Sequence, residues 1–111
     1  MKQKPKKQKP VVLHVVLASG VLGRSLGLLT TDQPYALLIK TRFGIHTLGM
    51  RFPIDVIVLD AMHRIVKIRK TLRPGNIFLW HPRFDTVVEL PAGTIEQKKL
   101  RVGVVVQLLF K

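Results

Sequence analysis

Ile45 to Asp60, IHTLGMRFPIDVIVLD, is the stretch from which the rest of the chain can be read. Its second half, Ile54 to Leu59, holds five aliphatic residues and one aspartate, with β-branched side chains at 54, 56, 57 and 58. A short run of that kind between Pro53 and the polar Asp60 reads as the strongest strand of the chain. The first half is different. Thr41 to Pro53 has glycines at 44 and 49 and no clean period, so a strand that bends or bulges is expected before the strong one. Asp55 is the exception inside the apolar run, because a carboxylate there is costly unless something partners it. Arg51, Arg42 and Arg24 are candidate ion-pair partners. A carboxylate bonded to backbone and fixing the bend is the other structural use. A binding role would have Asp55, His46 and Arg51 facing one pocket.

Working outward, Val11 to Leu17 is rich in valine and reads as a strand buried on both faces, and Tyr35 to Ile39 as a second strand. The glycine-rich segment from Gly20 to Gly27 reads as turns. Asp60 to His63 is a tight turn leading from the strong strand into Arg64 to Lys70, a β-hairpin. Leu72 to Gly75 is a Pro-Gly turn. Ile77 to Trp80, Thr86 to Leu90 and Val104 to Phe110 complete the strands. Thr94 to Leu100 reads as the one helix, with Thr94 as its cap and Gln97 three residues on as the return partner of a capping box. Many short strands and one helix imply a mostly β, single-domain antiparallel β-sandwich or barrel with one short helix near the C-terminus.

A chain of 111 residues is one domain, with residues 1–10 as a disordered basic tail and 11–111 as the β domain. It has no cysteine, which excludes disulfides and thiolate metal sites. Nineteen Lys and Arg against six Asp and Glu give a net charge of +13. Five of those cations, Lys2, Lys4, Lys6, Lys7 and Lys9, lie in the tail. A surface so basic attracts nucleic acid, anionic membranes and acidic ligands without choosing among them. The tail followed by VVLHVVLA has the outline of a signal peptide, yet His14 interrupts the run and no A-x-A-like site follows. Val11–Leu17 also serves well as a core strand, so the expected location is the cytoplasm. No run approaches the roughly 18 apolar residues of a membrane span, and no membrane partner is expected.

Few motifs carry chemistry. Gly23–Gly27, GRSLG, fits the G-x-S-x-G pattern, but a chain this small and β-rich has no α/β-hydrolase sheet to hold Ser25 as a nucleophile. His14, His46, His63 and His81 form no pair at metal-ligand spacing, so neither a metal nor another cofactor is expected. His14 is read as packed in its strand, and His46 with Met50 is a thin case for copper. Trp80 and Phe84, around His81-Pro82-Arg83, suit core packing better than base stacking. No acid–base constellation points to an enzyme.

The string IHTLGMRFPIDVIVLDAMHRIVKI, the later VVELPAGTIEQKKLRVG and the upstream RSLGL at 24–28 resemble the bacterial and archaeal family called domain of unknown function 192. The resemblance covers about residues 11–109. It implies a compact β-sandwich or barrel and no general activity, with members both free-standing in the cytoplasm and behind export signals. It places the family's recurrent polar positions on Arg24, His46, Met50, Asp55 and Glu89. His63 stands where the hairpin turn usually has glycine, and Val104 where an aspartate usually follows Gly103. Residues 88–108 also look like the strand-helix-Gly-strand half of swapped-hairpin transcription regulators, a shorter likeness.

The function expected from all this is binding of a small anionic ligand in a pocket near the His46–Asp55 motif. Arg24, His46, Met50, Arg51, Asp55 and Glu89 are its candidate residues, the arginines favouring an anion. The alternative is a nucleic-acid (DNA) binding module using the basic surface and the arm of Lys2, Lys4, Lys6, Lys7 and Lys9.

Overall fold

The computed structural model describes residues 9–18 and 36–110. Its strands are β1 (Val11–Leu17), β2 (Ala36–Lys40), β3 (Gly44–His46), β4 (Ile54–Leu59), β5 (Ile65–Leu72), β6 (Ile77–Leu79), β7 (Thr86–Pro91) and β8 (Val106–Phe110). One helical turn, α1 (Thr94–Gln97), lies between β7 and β8. Six strands form one sheet in the order β5-β4-β7-β2-β1-β8, and β3 and β6 form a separate two-stranded ribbon. Pairing is antiparallel except at β1, which runs parallel to both β2 and β8. A single bridge from Arg64 to Val105 links the two ends of the large sheet without closing it into a barrel. The architecture is mostly β and sandwich-like.

The sheet is covered on both sides, and the strong strand shows why its sequence is apolar without alternation. Ile54, Val56 and Val58 face the ribbon and pack with Ile45, Phe78 and Trp80. Ile57 and Leu59 face the other way and pack with Ile95, Leu100 and Val104 of the α1 region. All six residues of β4 are consequently buried. Burying a side chain of this size contributes about 1.5–3 kcal/mol, so the centre of the sheet is also its most stable part. β1 differs from the sequence reading. Only Leu13 and Val15 are buried in it, and His14 is exposed rather than packed. Lying next to the sheet's edge strand, β1 buries Leu13 and Val15 on one face, while on the other only Val16 packs, half-buried, against the ribbon-side core.

Trp80 is buried, donates its indole N–H to the Phe84 carbonyl at 2.8 Å and packs its ring 5.8 Å from that of Phe78. It is a core residue, as expected. The helix is shorter than its sequence pattern. It covers one turn instead of Thr94 to Leu100, and Gly93, not Thr94, occupies the cap position. Thr94 donates its hydroxyl to the Pro91 carbonyl at 2.6 Å, so the capping box does not form. The turn ends because Lys99 takes φ 54°, with Lys99 N–H bonded to Glu96 O and Leu100 N–H to Ile95 O. That pair of bonds is a Schellman closure, and glycine is the usual residue at its left-handed position.

The β4–β5 hairpin turns on Asp60. One oxygen, Oδ1, accepts the backbone N–H groups of Met62 and Arg64, each at 2.9 Å. His63, where the family resemblance leads one to expect glycine, takes φ 60°. The turn is therefore glycine-shaped with a histidine in it, at a cost set by Cβ crowding in the left-handed region. Replacing His63 by glycine should raise stability by about 0.5–1 kcal/mol. Urea unfolding followed by tryptophan fluorescence measures it, and an unchanged or lower midpoint would show that the imidazole makes up for the strain.

Candidate functional site

Asp55 is 1% exposed and has no arginine beside it among the described residues. Its Oδ1 accepts the N–H of Thr71 at 2.9 Å, and its Oδ2 accepts those of Gly93 at 3.0 Å and Ile95 at 2.9 Å. Three backbone donors account for the carboxylate, which is the backbone-bonded use rather than the ion pair. Arg42 is committed elsewhere, to the Pro82 carbonyl at 2.6 Å and to Asp85 at 3.8 Å. Arg51 is exposed, and Arg24 lies outside the described residues.

The three donors come from two places that must be held together. Thr71 sits where β5 carries one residue more than β4, because Ile54 pairs with Leu72 while Val56 pairs with Arg69. It takes φ 54°, an unfavourable conformation for a β-branched residue. Gly93 and Ile95 open α1. Asp55 thus ties the bulge of one edge strand to the start of the helical turn, on the face of the sheet away from the ribbon. Next to that tie lies a cleft of about 300 Å³ lined by Lys70, Ile95, Glu96, Lys99, Leu100 and Arg101. Lys70 precedes the bulged Thr71, and Lys99 is the left-handed residue that ends the helical turn. Two of the three cations at this cleft are thus placed by unusual backbone that Asp55 and the helix closure hold. Glu96 is the single acid on its wall.

The other sequence candidates do not gather there. His46 ends β3 and is exposed, its Nδ1 accepting the Leu48 N–H at 3.3 Å. Met50 is buried among the residues beneath the ribbon. Glu89 is 2% exposed in β7, in register with Leu37 on one side and Val56 on the other, and it is not without a partner. Met50 and Glu89 belong to the ribbon side of the sheet and Asp55 to the opposite side. Of the lysine arm, Lys9 is exposed, and Lys2, Lys4, Lys6 and Lys7 lie outside the described residues, as does Ser25. No group of three or more His, Asp or Glu among the described residues is placed to hold a metal ion.

Sequence reasoning passed over Thr47 and the cleft cations. Thr47 is fully buried, donates its hydroxyl to the Arg73 carbonyl at 2.6 Å and accepts the Asn76 N–H at 2.9 Å. Its own carbonyl accepts Gly75 N–H at 3.0 Å, so one threonine staples the end of β3 to the Pro-Gly turn before β6. The available signal was only a hydroxyl within the family-like string, since its burial between the exposed His46 and Leu48 is a property of the fold. Lys70, Lys99 and Arg101 gave no such signal, because lysine and arginine in a basic chain look alike until folding brings some of them together.

The sequence matches the family model of domain of unknown function 192, described as an uncharacterized ACR, over residues 2–108. The chain belongs to this family. No curated protein matches it. Two solved structures resemble the fold. One is a protein of unknown function from Novosphingobium aromaticivorans DSM 12444, with TM-score 0.67 and 14% identity over 80% of this chain and 70% of that one. The other is a "putative transcription regulator" from Sinorhizobium meliloti 1021, with TM-score 0.69 and 21% identity over 80% of this chain and 76% of that one. At those identities the likeness is one of fold. The family match thus brings no activity with it, and function has to be read from the chain's own geometry.

Replacing Asp55 by asparagine leaves one oxygen for three donors and turns an amide N–H₂ toward backbone N–H. The expected loss is about 3 kcal/mol or more, since each charge-assisted bond contributes about 1.5–3 kcal/mol. Hydrogen exchange locates it: protection should drop first at Thr71, Gly93 and Ile95. Uniform loss across the sheet, or none, would contradict the assignment of Asp55 as a local tie.

Proposed function

We propose that this chain is a non-enzymatic binding domain for a small anion, taken up in the cleft between β5 and the segment that follows α1. The observation that carries the reading is the convergence of Lys70, Lys99 and Arg101 on one concavity with a single opposing acid. Arginine offers a planar fork to carboxylate or phosphate, and lysine a mobile point charge, so the three together suit a multiply charged small anion. Backbone strain supports the same place. Lys99 and the neighbour of Lys70 both have positive φ, and strain of this kind concentrates where a side chain must be aimed. The ligand class is the one expected from the sequence. The proposed pocket lies on the side of the sheet away from His46, and Asp55 acts from behind it by holding both walls.

Thermal unfolding in increasing inorganic phosphate, pyrophosphate and citrate tests this. A site that binds only the folded state gives saturable stabilisation, about 2.7 kcal/mol at a hundred times Kd. Lys70→Ala and Arg101→Ala should abolish it while leaving the unliganded midpoint nearly unchanged. Lys99→Gly is more telling. It should raise the unliganded midpoint by relieving the left-handed strain and weaken anion binding about tenfold, the equivalent of roughly 1.4 kcal/mol. A non-saturable rise shared by all variants would be a general salt effect and would end the proposal.

A second reading, nucleic-acid binding, draws on the charge of β5. Lys67, Arg69 and Lys70 are exposed along this edge strand, with Arg64 just before it and Arg73 just after. Edge cations also guard a sheet against pairing with another sheet, which is the structural account of the same row. DNA binding would show a steep fall of affinity with salt and a loss on removing residues 1–10. Absence of binding at low salt would leave edge protection as the account.

A further inference from the structure

The β3–β6 ribbon presents two unlike faces. Ile45 and Phe78 point inward and are buried, which makes the ribbon a fixed plate on the sheet. Its outward positions carry Ile77 and Leu79, 67% and 62% exposed, and its flanks carry Phe43 and Leu48, 65% and 59% exposed. Leu79 lies over Gly44, where a Cβ would come within 2.6 Å of its Cδ2. Four large apolar side chains on one small plate form a patch that a free surface does not need. Phe43 is also held out at a conformational cost. Gly44 N–H bonds back to Arg42 O at 2.9 Å across Phe43, whose φ is 75°, the strained hand of the three-residue γ-turn.

The surrounding charge is predominantly of one sign, the exception being Asp85, which pairs with Arg42 at 3.8 Å. Residues 41–51 and 73–84, which build the ribbon and its flanks, contain Arg42, Arg51, Arg73, Arg83, His46 and His81 and no Asp or Glu. From β5, Lys67 reaches the edge of the plate and donates to the Leu79 carbonyl at 2.7 Å. Apolar side chains within a cationic rim are the pattern of surfaces that rest on anionic bilayers, with aliphatic and aromatic tips among the acyl chains and arginines at the headgroups. A second copy of the chain fits badly, because a two-fold contact would set the arginine rim against itself. Single-stranded nucleic acid asks for stacking platforms, and only Phe43 among the four is aromatic.

We propose that the outer face of the β3–β6 ribbon is a docking surface for an anionic lipid membrane. It lies across the sheet from the anion cleft and does not depend on it.

Co-flotation of the full chain with vesicles tests the proposal. Vesicles of phosphatidylcholine with one quarter phosphatidylglycerol should carry the protein up, and pure phosphatidylcholine should not. The double variant I77S/L79S, changed only at exposed positions, should fold normally and bind anionic vesicles about tenfold more weakly. Phe43→Gly should raise the thermal midpoint, by removing the strained turn, and still weaken flotation. Lys99→Ala, at the cleft, should float like the parent. Four results would each overturn the proposal: no flotation at low salt; flotation indifferent to I77S/L79S, which would mark diffuse attraction of a basic chain; a dimer in solution that I77S/L79S abolishes; or tight binding of a single-stranded oligonucleotide lost in the same variant.

Discussion

The fold depends on one carboxylate satisfied by three backbone N–H groups. Asp55 stands near the start of the most buried strand, where an ionised side chain without partners would be expelled or neutralised. Instead it accepts from Thr71, Gly93 and Ile95, residues that belong to an edge strand and to a helical turn. Those donors have nowhere else to go. The bulge takes Thr71 out of the regular ladder, and the first N–H groups of a helix have no intrahelical acceptor. One side chain therefore settles two irregularities at once, and each would be costly without the other. The positive φ of Thr71 is tolerated because the bond it makes is charge-assisted and goes to a buried carboxylate.

From that tie follows the division of the molecule into two sides. Facing the helical turn, the sheet carries Ile57, Leu59, Val88 and Leu90, and the cleft with its three cations opens at the rim. Facing the ribbon, it carries Ile54, Val56, Val58 and Val87, capped by Ile45, Phe78 and Trp80. Thr47 does for the ribbon what Asp55 does for the helical turn, by drawing the Arg73–Asn76 turn onto the end of β3. Both tying residues are polar, both are almost wholly buried, and both spend their hydrogen bonds on backbone. Such groups are costly to bury unsatisfied, so they specify one arrangement of the loops where apolar packing alone would allow several.

Both proposed surfaces stand beside backbone that a relaxed chain would avoid. Of the four non-glycine residues with positive φ among the described residues, Thr71 and Lys99 flank the cleft and Phe43 stands at the ribbon, while His63 belongs to a hairpin turn. Strain persists only where the surroundings over-determine it. In Thr71 and Lys99 the cause is visible, a carboxylate in one case and a helix closure in the other. In Phe43 the result is an aromatic ring held toward solvent, a disposition that folding alone does not reward.

What the sequence determined is what depends on local pattern. The run from Ile54 to Leu59, the turn at Asp60 and the short strands after it were legible because β-branched runs and turn residues act over a few neighbours. The family was legible in the His46–Asp55 string. Thr47, Met50 and Asp55 are buried parts of the scaffold rather than members of one pocket. The tertiary structure alone decided the rest. Thr94 with Gln97 looked like a capping box and Thr94 to Leu100 like a helix, yet Gly93 took the cap position, Thr94 turned its hydroxyl to the Pro91 carbonyl, and Lys99 closed the turn early. Arg42 and Arg51 looked like partners of Asp55 because they are near in sequence, but the partners were backbone groups from residues 71, 93 and 95. The cations of the cleft and the apolar tips of the ribbon come from segments far apart in the chain. No local pattern marks which Lys, Leu or Ile will meet, because convergence is a property of how strands pair and layers stack.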